Sequence, residues 1–257
     1  MGKVIALCNQ KGGVGKTTTA VNLATYIAMM GKETLLIDMD PQGNGTSGVG
    51  VDKNGLKCNI YNVLIGQIEI IEAIVKTSID KLSLVPSNLQ LTGAEVELVE
   101  MDKREERLRI SIGPVRDSYD YILIDSPPSL GLLTINALNA ADSVIVPLQC
   151  EYYALEGLSH LLNTIELVRK NLNPSLMIEG ILLTMADYRT KLTQQVINEV
   201  EKFFKDKVYK TIIPRNIRLS EAPGFGKPIE LYDPGSVGAQ RYMELAREVV
   251  GGQGIGG

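Results

Sequence analysis

Eight consecutive residues, Lys11-Gly12-Gly13-Val14-Gly15-Lys16-Thr17-Thr18, combine the glycines, lysine and hydroxyls that grip phosphate. They follow the apolar run Val4-Ile5-Ala6-Leu7 and open a helical pattern over Thr18–Met30, the strand–loop–helix context of a phosphate-binding loop. Glycines let the backbone curl until its N–H groups face phosphate oxygens, and a helix N-terminus adds a favourable dipole. In that setting Lys16 is placed to reach the β- and γ-phosphates of ATP and Thr17 to ligate Mg²⁺.

Two further apolar runs end in acids. Leu36-Ile37-Asp38-Met39-Asp40-Pro41-Gln42-Gly43 carries two carboxylates, and Tyr121-Ile122-Leu123-Ile124 stops at Asp125-Ser126-Pro127-Pro128. The carboxyl ends of strands are where open α/β sheets place their ligands. Asp125 fits the Walker B pattern, in which the carboxylate holds Mg²⁺ through a water. Asp40 begins a Gly-rich stretch and is placed to answer to a γ-phosphate, as a switch residue does. With Thr17 and Asp125 it completes the candidate Mg²⁺ shell. The plainer reading of Asp40 is a cap or turn before Pro41. Asp38 suits either support of the Mg²⁺ shell or the fold of the switch.

These residues need a scaffold, and the sequence supplies one. Apolar, β-rich runs lie at Val4–Cys8, Thr34–Ile37, Leu82–Val85, Tyr121–Ile124, Ser143–Pro147 and Met177–Leu183, with a weaker one near Val208–Ile213. Most are continuous rather than alternating, as in strands buried on both faces. Helical patterns lie between them; Lys191–Phe204 sets Leu192, Val196, Ile197, Val200, Phe203 and Phe204 on one face. The expectation is an α/β fold of the P-loop type: a mostly parallel sheet with helices on both faces. The 257 residues show no repeat and no linker, so one domain is expected over residues 1–250, with a Gly-dominated, disordered tail at 251–257. Asp40–Asn59, rich in Gly, Asn and Ser, reads as a mobile loop.

Bulk properties narrow the classes. No apolar run reaches the ~18 residues of a membrane span, and the N-terminus lacks a signal-peptide layout, so a cytoplasmic location is expected. Cys8, Cys58 and Cys150 have no Cys-x-x-Cys spacing, which argues against a disulfide framework or a self-contained metal site. Cys8 and Cys150 read as small buried residues at strand ends. The net charge of −4 leaves nucleic-acid binding to a local basic patch. His160, the single histidine, sits in an apolar helical pattern and reads as structural.

The phosphate loop departs from the common pattern: Gln10 stands where the first glycine is usual, and Lys11 intrudes. With this deviant Walker A loop the chain resembles the ParA/MinD group of P-loop ATPases. Over almost its whole length, in strings such as Gln149-Cys150-Glu151-Tyr152-Tyr153-Ala154-Leu155-Glu156-Gly157 and Ile213-Pro214-Arg215-Asn216-Ile217-Arg218-Leu219-Ser220-Glu221-Ala222-Pro223, it is similar to the Soj-type chromosomal ParA proteins. The resemblance implies an ATP-dependent homodimer in which Lys11 reaches the partner subunit's phosphates and Asp40 positions or activates the attacking water. It implies that the loop after Asp125 is a second switch and that Pro214 and Asn216 lie against adenine, where Asn216 alone would read as a turn former. It also implies binding of nonspecific double-stranded DNA through Arg189 and Arg218, which by themselves are ordinary solvated charges; Lys191, Arg215, Lys202, Lys205 and Lys207 are candidates to extend that patch. Hydrolysis stimulated by a ParB-type partner, and association with the nucleoid, complete the expectation. The alternative is a MinD-like membrane-associated positioning ATPase, which would need a basic amphipathic C-terminal helix; the last helical pattern, Ala239–Val250, runs instead into Gly251-Gly252.

Overall fold

The computed structural model describes residues 1–151 and 154–251. Its sheet has seven strands: β1 (Lys3–Leu7), β2 (Thr34–Asp38), β3 (Val75–Lys76), β4 (Leu82–Val85), β5 (Tyr121–Asp125), β6 (Ser143–Gln149) and β7 (Met177–Thr184). They lie in the order β3-β4-β2-β5-β1-β6-β7. All pairings are parallel except β3 with β4. The six stronger apolar runs are thus six of the strands. The two-residue β3 is too short to leave a pattern in the sequence. The weaker run at Val208–Ile213 is not a strand. It touches the β7 edge through the isolated bridges Ile181↔Val208 and Ala186↔Pro214, and Pro214 has no N–H with which to extend a ladder.

The continuous apolar runs follow from burial on both faces. Val4, Ala6, Leu35, Ile37, Ile122 and Ile124 pack into one core, while Ile5, Leu7, Leu36, Leu123 and Ile145 pack into the other. The second core includes helix α1 (Lys16–Met29) and the buried face of helix Val237–Val250, formed by Tyr242, Leu245, Ala246 and Val249.

Register makes the site. Leu7 pairs with Asp125, and Asp38 pairs with Asp125. Three strands therefore end at one level, with Asp125 on the middle one and the phosphate loop leaving its neighbour β1. The chain order reverses around β1, where α/β sheets open a crevice.

Three expectations change. The stretch expected as a mobile loop folds, within Asp40–Asn59, into helix α2 (Asn44–Gly48), and Gly45, Thr46, Gly48 and Val49 are buried. Its glycines allow close packing: a Cβ on Gly48 would lie 3.1 Å from Val21, and one on Gly45 3.0 Å from Asp38. Helix Lys191–Phe204 has the expected bounds and is capped by Thr190, but its inner face is Thr193, Val196, Ile197 and Val200. Phe203 is exposed, because this helix covers the outer strand and meets the core on one narrow side. His160 is on the exposed side of helix Ala154–Asn171 rather than in its packed face. Cys8 and Cys150 are buried just past the ends of β1 and β6, as expected. Beyond Gly251 the Gly-rich tail lies outside the described residues, as do Tyr152 and Tyr153.

Candidate functional site

The phosphate loop turns on two glycines with left-handed backbone, Gly13 (φ 74°) and Gly15 (φ 88°). Gly15 caps α1 without a side-chain bond, so the first-turn N–H groups are available to an anion. Lys16 is only 6% exposed, and its Nζ donates to the carbonyl of Lys11 at 3.0 Å, across the mouth of its own loop. Burial lowers the Lys16 pKa, opposed by Asp125, Cys8 and Asp40. Two braces that sequence reasoning missed hold the loop. Asn9 is buried, donates from Nδ2 to the Pro147 carbonyl (2.7 Å) and accepts the Lys11 N–H (3.0 Å). Thr184 Oγ1 donates to the Val14 carbonyl (2.9 Å).

Asp125 is fully buried, and neither carboxylate oxygen has a hydrogen-bond partner among the described residues. The Thr17 hydroxyl is near enough to ease the charge but falls short of hydrogen-bond geometry. Burial first, then the neighbouring charge of Asp38, pushes the Asp125 pKa well above the carboxylate range. A cation at this place removes both penalties. Among the described residues no three His, Cys, Asp or Glu side chains form a metal cluster. The Asp125 carboxylate with the nearby Thr17 hydroxyl fits Mg²⁺, which keeps several waters and takes its other ligands from one or two protein oxygens and the phosphates.

Asp38 is equally buried but fully engaged. It accepts the N–H of Asp40 (3.1 Å) and both the N–H (2.7 Å) and hydroxyl (2.8 Å) of Thr46. Burial nevertheless pushes its pKa up to about 6. Of the two readings of Asp38, its hydrogen bonds support the fold of the switch. Asp40 is 8% exposed, and its Oδ1 accepts the Gln42 N–H at 2.9 Å, which is the turn reading.

Lys11 is exposed and pairs with Glu151 of its own chain at 2.7 Å. The pair is half-exposed, so solvent screens it and it is easily exchanged. A cavity of about 280 Å³ adjoins the loop, lined by Gly15, Thr18, Pro214, Asn216, Leu219 and Tyr242 among others. Asn216 caps helix Ile217–Glu221 by accepting the N–H groups of Arg218 (2.9 Å) and Leu219 (3.3 Å). Its Oδ1 is committed to the turn, so a contact to adenine falls to its amide nitrogen.

The two arginines are surface groups tied to carboxylates. Arg189, 86% exposed, grips Asp187 with two nitrogens (2.8 and 2.6 Å) and holds the Asp187 pKa down at about 2. Arg218 meets Glu221 (2.9 Å) and Asp233 (3.3 Å). The Ala186↔Pro214 bridge and the bond from the Arg215 N–H to the Ala186 carbonyl (3.1 Å) join the segments carrying them. Sequence reasoning missed Asp187 and Glu221 as their partners, although both lie within three residues of the arginine they bind.

A family model described as an AAA domain matches residues 2–178. The chain is 60% identical over 249 residues to the sporulation initiation inhibitor protein Soj of Bacillus subtilis, covering 97% of this chain and 98% of that one. It is 52% identical over 254 residues to the chromosome-partitioning ATPase Soj of Treponema pallidum, covering 99% of each. Its fold is similar to that of cobyrinic acid a,c-diamide synthase from Mycobacterium smegmatis, solved with bound ATP analog and magnesium (TM-score 0.86, 36% identity, 97% and 95% of the two chains).

Proposed function

The chain belongs to the Soj-like branch of the ParA/MinD-type ATPases, and from that premise we propose how its residues run a DNA-partition cycle. The chain is an ATPase of the chromosome-partitioning kind. Residues Lys11–Thr18 hold the phosphates of ATP, with Lys16 as the cation of its own subunit. Pro214 and Asn216 bound the base. Thr17 and Asp125, with Asp40 in the surrounding shell, hold Mg²⁺, which when bound supplies positive charge to the β- and γ-phosphates. The observation that carries this reading is Asp125: a carboxylate buried without a hydrogen-bond partner among the described residues, level with the end of the strand that leads into the Lys16 loop.

In a single subunit Lys11 rests on Glu151. Two subunits closing face to face exchange that contact for the partner's phosphates, so dimerisation and hydrolysis depend on one another, as with a cation delivered in trans. Asp40 places the attacking water. Arg189 and Arg218 of both subunits form one surface for nonspecific double-stranded DNA, and a ParB-type partner stimulates hydrolysis and releases it. The protein works in the cytoplasm on the nucleoid, as one ATPase domain over residues 1–250. The MinD-like alternative is disfavoured by helix Val237–Val250, whose apolar face is already packed into the core with α1. Among the described residues no helix is long and apolar enough to cross a membrane.

Sedimentation with ADP or ATP, with and without plasmid DNA, tests the cycle. The expected result is a monomer off DNA with ADP and a dimer on DNA with ATP. Equal DNA binding with both nucleotides removes the partition cycle and leaves the ATPase.

A further inference from the structure

We propose that Thr46 and Ser87 are positioning residues for ATP hydrolysis, acting through a buried ring of hydrogen bonds that fixes the main chain on both sides of Asp40. The inference rests on the reading of Asp40 as the group that places the water.

The ring is short and closed. Asp38 Oδ1 accepts the Asp40 N–H at 3.1 Å. The Asp40 carbonyl accepts the Ser87 hydroxyl at 2.7 Å. The Ser87 N–H donates to Thr46 Oγ1 at 2.8 Å, and Thr46 Oγ1 donates back to Asp38 Oδ2 at 2.8 Å. Asp38, Thr46 and Ser87 are wholly buried. Their contributions come from three separate pieces of chain: the end of β2, helix α2 and the segment after β4.

The chemistry of each atom fixes the direction of each bond. An ionised carboxylate only accepts and a backbone N–H only donates. The Thr46 hydroxyl must therefore give its proton to Asp38 and offer a lone pair to Ser87; no other side-chain group in the ring does both. Asp40 is held at its N–H and at its carbonyl, so the ring determines where its carboxylate starts from. The ring also abuts Asp125: a Cβ on Gly45, next to Thr46, would lie 3.0 Å from Asp38 Oδ2 and 3.3 Å from Asp125 Oδ2. A shift of α2 is thus felt at Asp38 and Asp125 together.

The test compares Thr46→Val, Thr46→Ser, Ser87→Ala and Asp40→Ala in the full chain. It reads kcat at saturating Mg-ATP with plasmid DNA, ATP Kd by calorimetry, and thermal melts. Thr46→Val keeps the shape and loses both bonds, leaving a buried N–H and a carboxylate under-satisfied. A displacement near 1 Å at a reacting group costs on the order of 100-fold in rate. The expected results are a kcat lower by about 10- to 100-fold in Thr46→Val and about 3- to 10-fold in Ser87→Ala, with ATP Kd within about 3-fold. Thr46→Ser should restore most of the rate. A wild-type kcat in folded Thr46→Val, a parallel loss of kcat and ATP affinity, or a Thr46→Ser variant as slow as Thr46→Val overturns the proposal. Should Thr46→Val not fold, a wild-type kcat in Ser87→Ala overturns it alone. Turnover by Asp40→Ala at the wild-type rate removes the Asp40 reading and this inference with it; a dead Asp40→Ala beside fully active Thr46 and Ser87 variants removes only this inference.

Discussion

Two ends of the molecule hold charges in opposite ways. At the strand ends, Lys16, Asp38 and Asp125 are withdrawn from water, Asp125 feels the charges of the other two, and it has no hydrogen-bond partner among the described residues. Near residues 187–221, Arg189 and Arg218 stand in solvent, each already matched to a carboxylate. Charges of the first kind are strained until a ligand arrives, because burial penalises them. Those of the second kind are satisfied beforehand, so a ligand must outcompete a neighbour in a medium that screens both. The first arrangement suits tight binding of a small polyanion with its cation, and the second suits weak, reversible contact with a long polyanion.

The sharpest break of this comparison is Lys16→Ala. Losing the partner of a desolvated charge costs several kcal/mol, so ATP affinity should fall about 100-fold or more, carrying dimerisation and turnover with it. Unchanged ATP binding by calorimetry would mean that the buried end is not the phosphate site. At the exposed end, Arg189→Glu or Arg218→Glu should weaken ATP-dependent binding to unrelated duplexes on the order of 100-fold and leave ATP affinity alone. With about four phosphate contacts per dimer, the wild-type log–log salt slope should be near −3.6, roughly a 150-fold loss between 50 and 200 mM salt. Duplex binding that survives both changes assigns the DNA surface elsewhere.

A smaller effect separates the two ends by pH. The Asp38 pKa is raised by burial to about 6, while the unfolded chain has the ordinary carboxylate value. Between those values the folded chain keeps a proton that the unfolded chain gives up, so ligand-free stability rises as pH falls through the window. The rise from pH 7 to pH 5 should be on the order of 1–3 kcal/mol, and Asp38→Asn should flatten it. A melting temperature that falls over that range in the wild type, or rises identically in Asp38→Asn, contradicts the buried-charge account. The smallest effect is Asp187→Asn. It removes the competitor of Arg189 without changing the number of phosphate contacts, so DNA affinity should rise a few-fold at constant salt slope. A steeper slope would show instead that Asp187 keeps an additional cation off the DNA.

What the sequence discloses follows the same division. The phosphate loop and Asp125 are legible because their partners are a few residues away or lie at the end of an apolar run. Asn9, Thr46 and Ser87 are not, since each acts on a group brought near only by strand register: Asn9 on Pro147, Thr46 on Asp38 and Ser87, and Ser87 on Asp40. Glycine misled the reading of Asp40–Asn59 because it serves close packing as well as freedom, and composition does not tell the two apart. The DNA role proposed for Arg189 and Arg218 rests on family resemblance alone, since a surface arginine carries no local mark of its ligand.

The strand order that sets β1 between β5 and β6 also decides when, during synthesis, the phosphate loop gains its neighbours. The strand that will lie between β5 and β6 is the first to be made, yet those neighbours begin only at Tyr121 and Ser143. A nascent chain therefore carries a finished phosphate loop sequence while roughly a hundred more residues are added before the loop has a wall to stand against. The central pairings are non-local, and contacts of that kind form slowly. Nucleotide that binds only the completed sheet will stabilise the folded chain at the end of that process by mass action, and will give the unfinished chain no help.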